Sequence, residues 1–173
     1  ERFNVEIWDV LDVSNETRKT EWLLNSLHWR SADHIHQKAI IDFLIKNHCG
    51  AKRWYRTVLY LAPIPNHPFN GDYWHWLWKE HYKSMASRDA ALQYFILDTT
   101  QYISENNICR LIDWAWTPGI SREVDEEVAR LVGKTLAWFL SSTIHAIRND
   151  TRKALVYLLQ HQPRALFSIL QDF

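Results

Sequence analysis

The chain has 173 residues, and 20 Lys and Arg balance 20 Asp and Glu, so its formal net charge is zero. Balanced charge argues against a dedicated nucleic-acid-binding protein, because neutralisation of phosphates dominates the affinity of such proteins. Apolar residues make up 47% and charged residues 23%, which excludes an intrinsically disordered chain. The 4 Gly and 5 Pro fall well short of average usage. So few turn residues exclude a sandwich or barrel of many short strands and favour helices with short connections.

The cysteines and the apolar runs also limit the class of protein. Cys49 and Cys109 are too few for a disulfide framework, and we expect reduced thiols in a cytoplasmic protein. No apolar run approaches the roughly 20 residues that span a membrane, so no membrane partner is expected. Because the sequence begins at Glu1 and not at Met, we expect a fragment of a larger protein.

Hydrophobic spacing predicts helices through the first part of the chain. A short amphipathic stretch covers 4–13, and Ser14 or Asn15 is expected to cap the helix that follows it. Two predicted helices carry residues at i, i+3, i+4 and i+7, the period of one buried face. These residues are Thr20, Leu23, Leu24 and Leu27 in one helix and Ile40, Phe43, Leu44 and Asn47 in the next. Gly50 is expected as the C′ glycine of the second helix, and a third helix is expected at about 51–61.

An aromatic run follows a predicted loop at 63–71, which holds three of the five prolines. In this run Trp74, Trp76 and Trp78 alternate with other residues, a period that is also compatible with a strand. We prefer a helix, because strong helix formers continue the segment and Asp72 is a good N-cap residue.

Three more helices are predicted directly after this run. Ser87 opens the first, and its apolar stripe is Leu92, Phe95, Ile96, Thr99 and Ile103. A short helix at about 107–116 precedes a long helix, which follows Ser121 and Val124 and is expected to end near residue 147.

Two helices complete the chain. Asn149 or Asp150 is expected to cap the first, and Pro163 is well placed to start the last. The apolar residues of the last helix are Leu166, Phe167 and Leu170. This makes about eight helices, and helix pairs recur at roughly 35–45 residues, the period of HEAT and armadillo repeats. We therefore expect an all-α, right-handed α-α superhelix of antiparallel helix pairs, a single domain over 1–173; an irregular helical bundle is the alternative.

No motif in the sequence predicts a catalytic centre. His34 and His36 point in different directions on a regular helix, so a shared metal ion is not expected. Adjacency of His48 and Cys49 does not place a base beside a nucleophile. A phosphate-binding glycine loop is absent. We expect no catalytic residue, metal or cofactor. The basic and aromatic stretch 52–56 is expected to form a solvated helix face, with nucleic-acid contact as the alternative.

The tryptophans are the best candidates for contact with a partner. Trp74 and Trp78 share a helix face, whereas Trp76 is rotated from them by about 200°. Trp114 and Trp116 have the same conflict, so at least one ring in each group should be exposed or pack on a neighbouring unit. Large exposed aromatic rings are typical of interfaces, and all five residues are therefore candidate interface residues.

Residues 140–173 carry a recognisable arrangement. A serine-rich helix end leads into a basic and apolar helix, and a Pro-started helix follows. The residues that match are Arg148, Asp150, Thr151, Arg152, Lys153, Ala154, Leu155 and Val156, with Asn149 shifting the Arg–Asp spacing by one. This arrangement resembles a segment of large bacterial ATP-binding proteins of the signal-transducing NTPase (STAND-like) kind. The resemblance covers about a fifth of the chain and implies a helical-repeat region downstream of an NTPase module. It implies a sensor or regulatory scaffold, with defence against phage as one role, and it carries over no catalytic residue.

We therefore expect a non-catalytic interaction or regulatory module of a larger bacterial NTPase. Its expected partners are the flanking domains of the parent protein or a protein ligand, and nucleic acid is not expected. One alternative is a HEAT-like alkylpurine DNA glycosylase, in which Asp113, flanked by Trp114 and Trp116, would supply the carboxylate. The zero net charge counts against this alternative. The other alternative is a helical domain with a purely structural role.

Overall fold

The computed structural model describes residues 16–97 and 107–173, and this part of the chain is all-helical. It contains ten α-helices and two short 3-10 segments, and no strand occurs within the described residues. The predicted all-α class is therefore confirmed. The predicted amphipathic stretch at 4–13, and the residues Thr99 and Ile103 of the predicted apolar stripe, lie outside the described residues.

The chain divides into two compact units, Glu1–Thr57 and Val58–Phe173. The first contains α1 (Glu16–Ser26), a 3-10 turn (Ala32–His34), α2 (Gln37–Lys46) and the first part of α3 (Ala51–Leu61). The predicted face of α1 is confirmed by burial of Thr20, Leu23, Leu24 and Leu27. In the predicted face of α2, Ile40 and Leu44 are buried, whereas Phe43 and Asn47 are half-buried. The arrangement as one HEAT-like superhelix over 1–173 stays a prediction.

The end of α2 differs from the prediction. The residue in the left-handed region is His48, with a φ of 49°, and Gly50 has no positive φ. The His48 N–H donates to the Ile45 carbonyl at 3.1 Å, and the Cys49 N–H donates to the Leu44 carbonyl at 2.9 Å. This pair of bonds is a Schellman motif with histidine where glycine is usual. The assignment of Gly50 as the C′ residue is wrong, because Gly50 instead directly precedes α3, and its carbonyl accepts the first helical bonds from the Arg53 and Trp54 N–H groups.

The second unit is built around one buried helix. Its elements are α4 (Gly71–His81), α5 (Met85–Leu97), α6 (Asn107–Ala115), α7 (Ile120–Glu123), α8 (Glu126–Ala137), a 3-10 segment (Trp138–Ser141), α9 (His145–Leu159) and α10 (Pro163–Asp172). Helices α4, α9 and α10 all pack on α8. Residues Leu131 to Leu136 of α8 are all buried, including Lys134, so this helix forms the centre of the unit.

Two glycines allow the close approach of helices to α8. A Cβ atom on Gly71, at the start of α4, would lie 2.3 Å from the Leu131 carbonyl oxygen. A Cβ atom on Gly133 would lie 2.6 Å from Ile169 Cδ1, which belongs to α10. The α4–α8 contact is therefore a backbone-to-backbone approach, whereas the α8–α10 contact ends on a flexible side chain.

The predicted end of the long helix near residue 147 is wrong. Helix α8 ends at Ala137, a 3-10 segment follows, and α9 already begins at His145. The break lies at three consecutive hydroxyl residues, whose side chains compete with helical hydrogen bonds. Thr143 donates from its backbone N–H and its hydroxyl to Asp89, both at 2.7 Å. The predicted caps Asn149 and Asp150 consequently lie inside α9.

The aromatic run is helical, as predicted, but its cap lies two residues earlier than expected. Helix α4 begins at Gly71, and the Asn70 side chain accepts a hydrogen bond from the Asp72 N–H at 3.0 Å. Asn70 is therefore the N-cap, and the assignment of this role to Asp72 is wrong. The Asp72 carboxylate is left available for ion pairs with other helices.

Candidate functional site

The alternating tryptophans of α4 have two different environments. Trp74 and Trp78 are stacked with ring centroids 5.3 Å apart, and both are buried. Trp76 is 50% exposed and rests partly on Tyr73, with ring centroids 5.5 Å apart. Trp74 and Trp78 fill the core of the second unit and cannot reach a partner while it is folded. Of the three, we retain only Trp76 as a candidate contact residue.

The second tryptophan pair lies on α6 and the turn that follows it. Trp114 is half-buried, whereas Trp116 is 42% exposed. The Lys153 ammonium lies 5.0 Å from the centroid of the Trp116 ring. Asp113 is exposed, so no apolar pocket encloses its carboxylate. The proposed glycosylase role therefore gains no support from the position of Asp113. Trp116 joins Trp76 as an exposed aromatic residue of the second unit.

Helix α10 leaves its larger apolar side chains in solvent. Leu166, Phe167 and Leu170 are 40%, 63% and 68% exposed, and Phe173 just beyond the helix is 59% exposed. The side that packs on α8 instead carries Ala165 and Ile169. We name Leu166, Phe167, Leu170 and Phe173 the α10 face.

The sequence identified the apolar residues of α10 but not which of them lie in solvent. Leu166, Leu170 and Phe173 are separated by four and three residues, a spacing that places them in one line along the helix. Ala165 and Ile169 form a second apolar line beside it. Because the helix is apolar on both lines, the spacing alone could not tell which of them is buried. Contact with Gly133 of α8 decides it in favour of Ile169.

A network of charged side chains joins α4, α8 and α10. Arg130 of α8 binds Asp72 of α4 through two hydrogen bonds of 2.8 and 2.7 Å. Arg130 also pairs with Glu127. The buried Lys134 donates to Asp72 at 2.6 Å and pairs with Asp172 at the end of α10. Sequence spacing does not predict this network, since Asp72 and Asp172 are distant in the chain from Arg130 and Lys134.

The network fixes the ionisation of its carboxylates. Hydrogen bonds from Arg130 are the main reason that the pKa of Asp72 falls from 3.8 to about 2; burial opposes this shift and Lys134 adds to it. The Arg130 guanidinium likewise lowers the pKa of Glu127. At neutral pH both groups are therefore charged, and α4 is held to α8 by paired ions. This network orders the helices and offers no reactive group.

The described residues hold few candidates for chemistry. No group of three or more His, Cys, Asp and Glu residues in 16–97 and 107–173 is arranged to hold a metal ion. Burial raises the pKa of the half-buried thiols of Cys49 and Cys109, which makes each a weaker nucleophile at neutral pH. His34 and His36 are both exposed.

The basic stretch of α3 lies on the surface of the first unit, as predicted. Arg53 and Arg56 are exposed, and Lys52 is half-buried. Together with His48 they line a shallow depression of about 360 Å³ that opens at the start of α3.

Two further findings concern membrane-spanning helices and the similarity of this chain to known proteins. No helix in the described part of the chain combines the length and the apolar character that crossing a bilayer requires. Comparison with protein-family models, with curated proteins and with solved structures found no match to this chain.

Proposed function

We propose that this chain is a non-catalytic helical interaction module, HEAT-like in organisation, of a larger bacterial NTPase. The observation that carries the proposal is the α10 face, a helix surface whose larger apolar residues lie in solvent. Exposed apolar patches of this kind are typical of protein-binding sites. The exposed Trp76 and Trp116 are consistent with further contacts. The resemblance of residues 140–173 to STAND-like proteins supports the same role.

The partner that fits the α10 face is an amphipathic helix. Leu166, Leu170 and Phe173 follow the four-and-three spacing with which one helix packs on another. The charged residues of α10, Arg164 and Asp172, lie off this line. A partner helix that brings a complementary apolar stripe would cover the face without burying a charge. In the parent protein such a helix would come from a flanking domain or from a protein ligand.

The regulatory mechanism would be differential binding. Stacked helix pairs change curvature with small changes at each contact, so a partner that favours one curvature shifts the population of states. An attached NTPase module would respond if its two states are coupled to that curvature. Deletion of this segment from the full-length protein should therefore alter the NTPase rate, and an unchanged rate would exclude the regulatory role.

The binding role is tested with a labelled helical peptide. The probe is a fluorescent Ala- and Lys-based peptide with leucines at four-and-three spacing, and its control is a scrambled peptide of the same composition. Fluorescence anisotropy should show tighter binding of the patterned peptide. L170E should weaken this binding about 30-fold, because burying a leucine contributes about 2 kcal/mol. V156E is the matched control, because Val156 is a similarly exposed apolar residue of α9.

Two results would overturn this proposal. Equal affinity for the patterned and scrambled peptides would show that the face does not select a helix. A dimer in light scattering that L170E dissociates would show that a second copy of the chain covers the face.

A further inference from the structure

A pocket of about 370 Å³ opens in the second unit beside the charge network. Residues from five elements line it, namely α4, α5, the end of α8, the 3-10 segment that follows α8, and α10. Its volume lies at the small end of the range for small-molecule sites. Phe173 belongs both to the pocket and to the α10 face, whereas Leu166, Phe167 and Leu170 do not line the pocket.

The walls of the pocket are aromatic. The rings of His75 and Phe173 meet edge to face with centroids 4.7 Å apart, and those of Trp138 and Phe173 are 5.0 Å apart. His75 and Trp138 are also neighbours, at 5.4 Å. His75 and Trp138 are buried, whereas Phe173 is more than half exposed. The pocket therefore offers two fixed rings and one ring on its open side, an arrangement that suits a flat aromatic group.

Two cations at the pocket have no carboxylate partner within the described residues. Arg88 lies 4.8 Å from the Trp138 ring centroid and donates from Nε to the Tyr82 carbonyl at 2.8 Å. Its Nη2 makes only a long contact of 3.4 Å to the Lys83 carbonyl. Lys79 donates to the main-chain carbonyl of Asp172 at 3.3 Å. These hydrogen bonds leave both positive charges without a neutralising partner.

The one carboxylate that lines the pocket is already engaged. The Asp172 side chain pairs with the buried Lys134, which also binds Asp72. Burial lowers the pKa of His75, and Lys134 and Lys79 add to this effect while Asp172 and Asp72 oppose it. The lowered pKa favours the neutral imidazole at pH 7, so the positive side chains that line the pocket are those of Lys79 and Arg88.

The pocket wall also contains polar atoms that lack partners. Within the part of the chain that the structure describes, neither His75 Nδ1 nor Trp138 Nε1 has a hydrogen-bond partner, and both atoms are buried. Most buried polar atoms in folded proteins are hydrogen-bonded. An indole N–H is a donor only, so the partner that Trp138 lacks is an acceptor such as a ligand oxygen.

We propose that this pocket binds a small aromatic carboxylate. Its ring would lie against the cluster of His75, Trp138 and Phe173, on the exposed side of Phe173, and its carboxylate would pair with Arg88 and Lys79. Charge-assisted hydrogen bonds from a guanidinium to a carboxylate are among the stronger polar contacts. The sequence predicted no ligand site in this chain.

The probes that test the site are naphthalene-2-carboxylate and its neutral isostere naphthalene-2-carboxamide. Titration calorimetry on the full chain should show that the carboxylate binds at least about 10-fold more tightly, because hydrogen bonds to charged groups contribute about 1.5–3 kcal/mol. R88Q and K79Q should each reduce the affinity for the carboxylate about 10-fold and leave that for the amide nearly unchanged. R152Q is the matched control, since Arg152 is an exposed cation of α9.

The readout separates loss of the site from loss of the fold. K79Q changes an exposed side chain and should keep the far-UV circular dichroism and the melting temperature of the wild type. Equal affinity for the two probes, or wild-type affinity in both R88Q and K79Q, would overturn the proposal. Failure of millimolar carboxylate to bind the wild type would overturn it as well. L170E should bind the carboxylate normally, which distinguishes this site from the α10 face.

Discussion

Replacement of Gly71 by alanine should destabilise the second unit far more than the same replacement at Gly133. The added Cβ at position 71 would lie 2.3 Å from the Leu131 carbonyl oxygen, and ordinary C···O contacts begin at about 3.3 Å. Helix α4 would have to retreat from α8 by about 1 Å. A gap of that size forfeits up to about half of the dispersion energy of the separated atoms.

The cost at Gly71 follows from overpacking against backbone. Such changes cost about 1–3 kcal/mol or more, and this case lies at the upper end because a carbonyl cannot rotate away. Reduced freedom of the unfolded chain offsets at most about 1 kcal/mol. We expect a net loss of about 2–3 kcal/mol in the free energy of unfolding. The melting temperature should fall by roughly 5–10 °C for a chain of this length.

Gly133 is the matched comparison because its neighbour can move. The added Cβ would meet Ile169 Cδ1 at 2.6 Å, the end of a flexible side chain. A rotamer change costs about 0.5–1.5 kcal/mol, and alanine gains about 1 kcal/mol over glycine inside a helix. G133A should therefore remain within about 1 kcal/mol of the wild type. G50A, where no atom lies within 4 Å of the new Cβ, controls for replacement of glycine as such.

Urea and thermal unfolding, followed by circular dichroism and by tryptophan fluorescence, measure these differences. Trp74 and Trp78 are buried beside the α4–α8 contact and report on its loss. Equal destabilisation by G71A and G133A would refute the argument that backbone contact sets the cost. A neutral G71A would show that α4 does not approach α8 as closely as described.

Three further predictions concern the helix end and the ionisable groups. H48G should stabilise the first unit by about 1 kcal/mol in urea unfolding, because glycine adopts the left-handed conformation without strain; a loss of stability would contradict the Schellman assignment. D72N should lower stability by about 1 kcal/mol at pH 7, after allowance for solvent screening of a partly exposed carboxylate. Because the pKa of Asp72 is about 2 when folded and 3.8 when unfolded, this difference should be full above about pH 4 and vanish near pH 2; a difference that persists there would contradict the assigned ion pair. The pKa of His75 is lowered by burial, so its contribution should be full above pH 6.5 and decline as the pH falls, and H75N should flatten the stability profile between pH 7 and pH 5; an unchanged slope would show that His75 is not buried as a neutral group.

Much of the helical organisation could be predicted from the sequence. Hydrophobic period identified α1 and α2, and the scarcity of glycine pointed to short connections. Helical spacing also predicted that Trp76 differs in exposure from Trp74 and Trp78, because residues two apart on a helix cannot share a face.

The failures have local physical causes. The break after α8 depends on Asp89, a residue of another helix that accepts hydrogen bonds from Thr143. The predicted helix ends are wrong where an unusual residue occupies the terminal position, as His48 does in place of glycine at the end of α2. The pocket could not be predicted, since Arg88 and Trp138 are brought together only by the packing of distant elements.

Helix α8 is locked against turning about its own axis. Its Leu131 carbonyl touches the start of α4 at Gly71, its Gly133 faces α10, and its Lys134 holds carboxylates from both of those helices. One residue inserted into α8 would rotate everything after it by about 100° and carry these groups away from their partners. We therefore expect changes of length in this unit to be tolerated only in the connections between helices, where they need not turn a helix away from its neighbours.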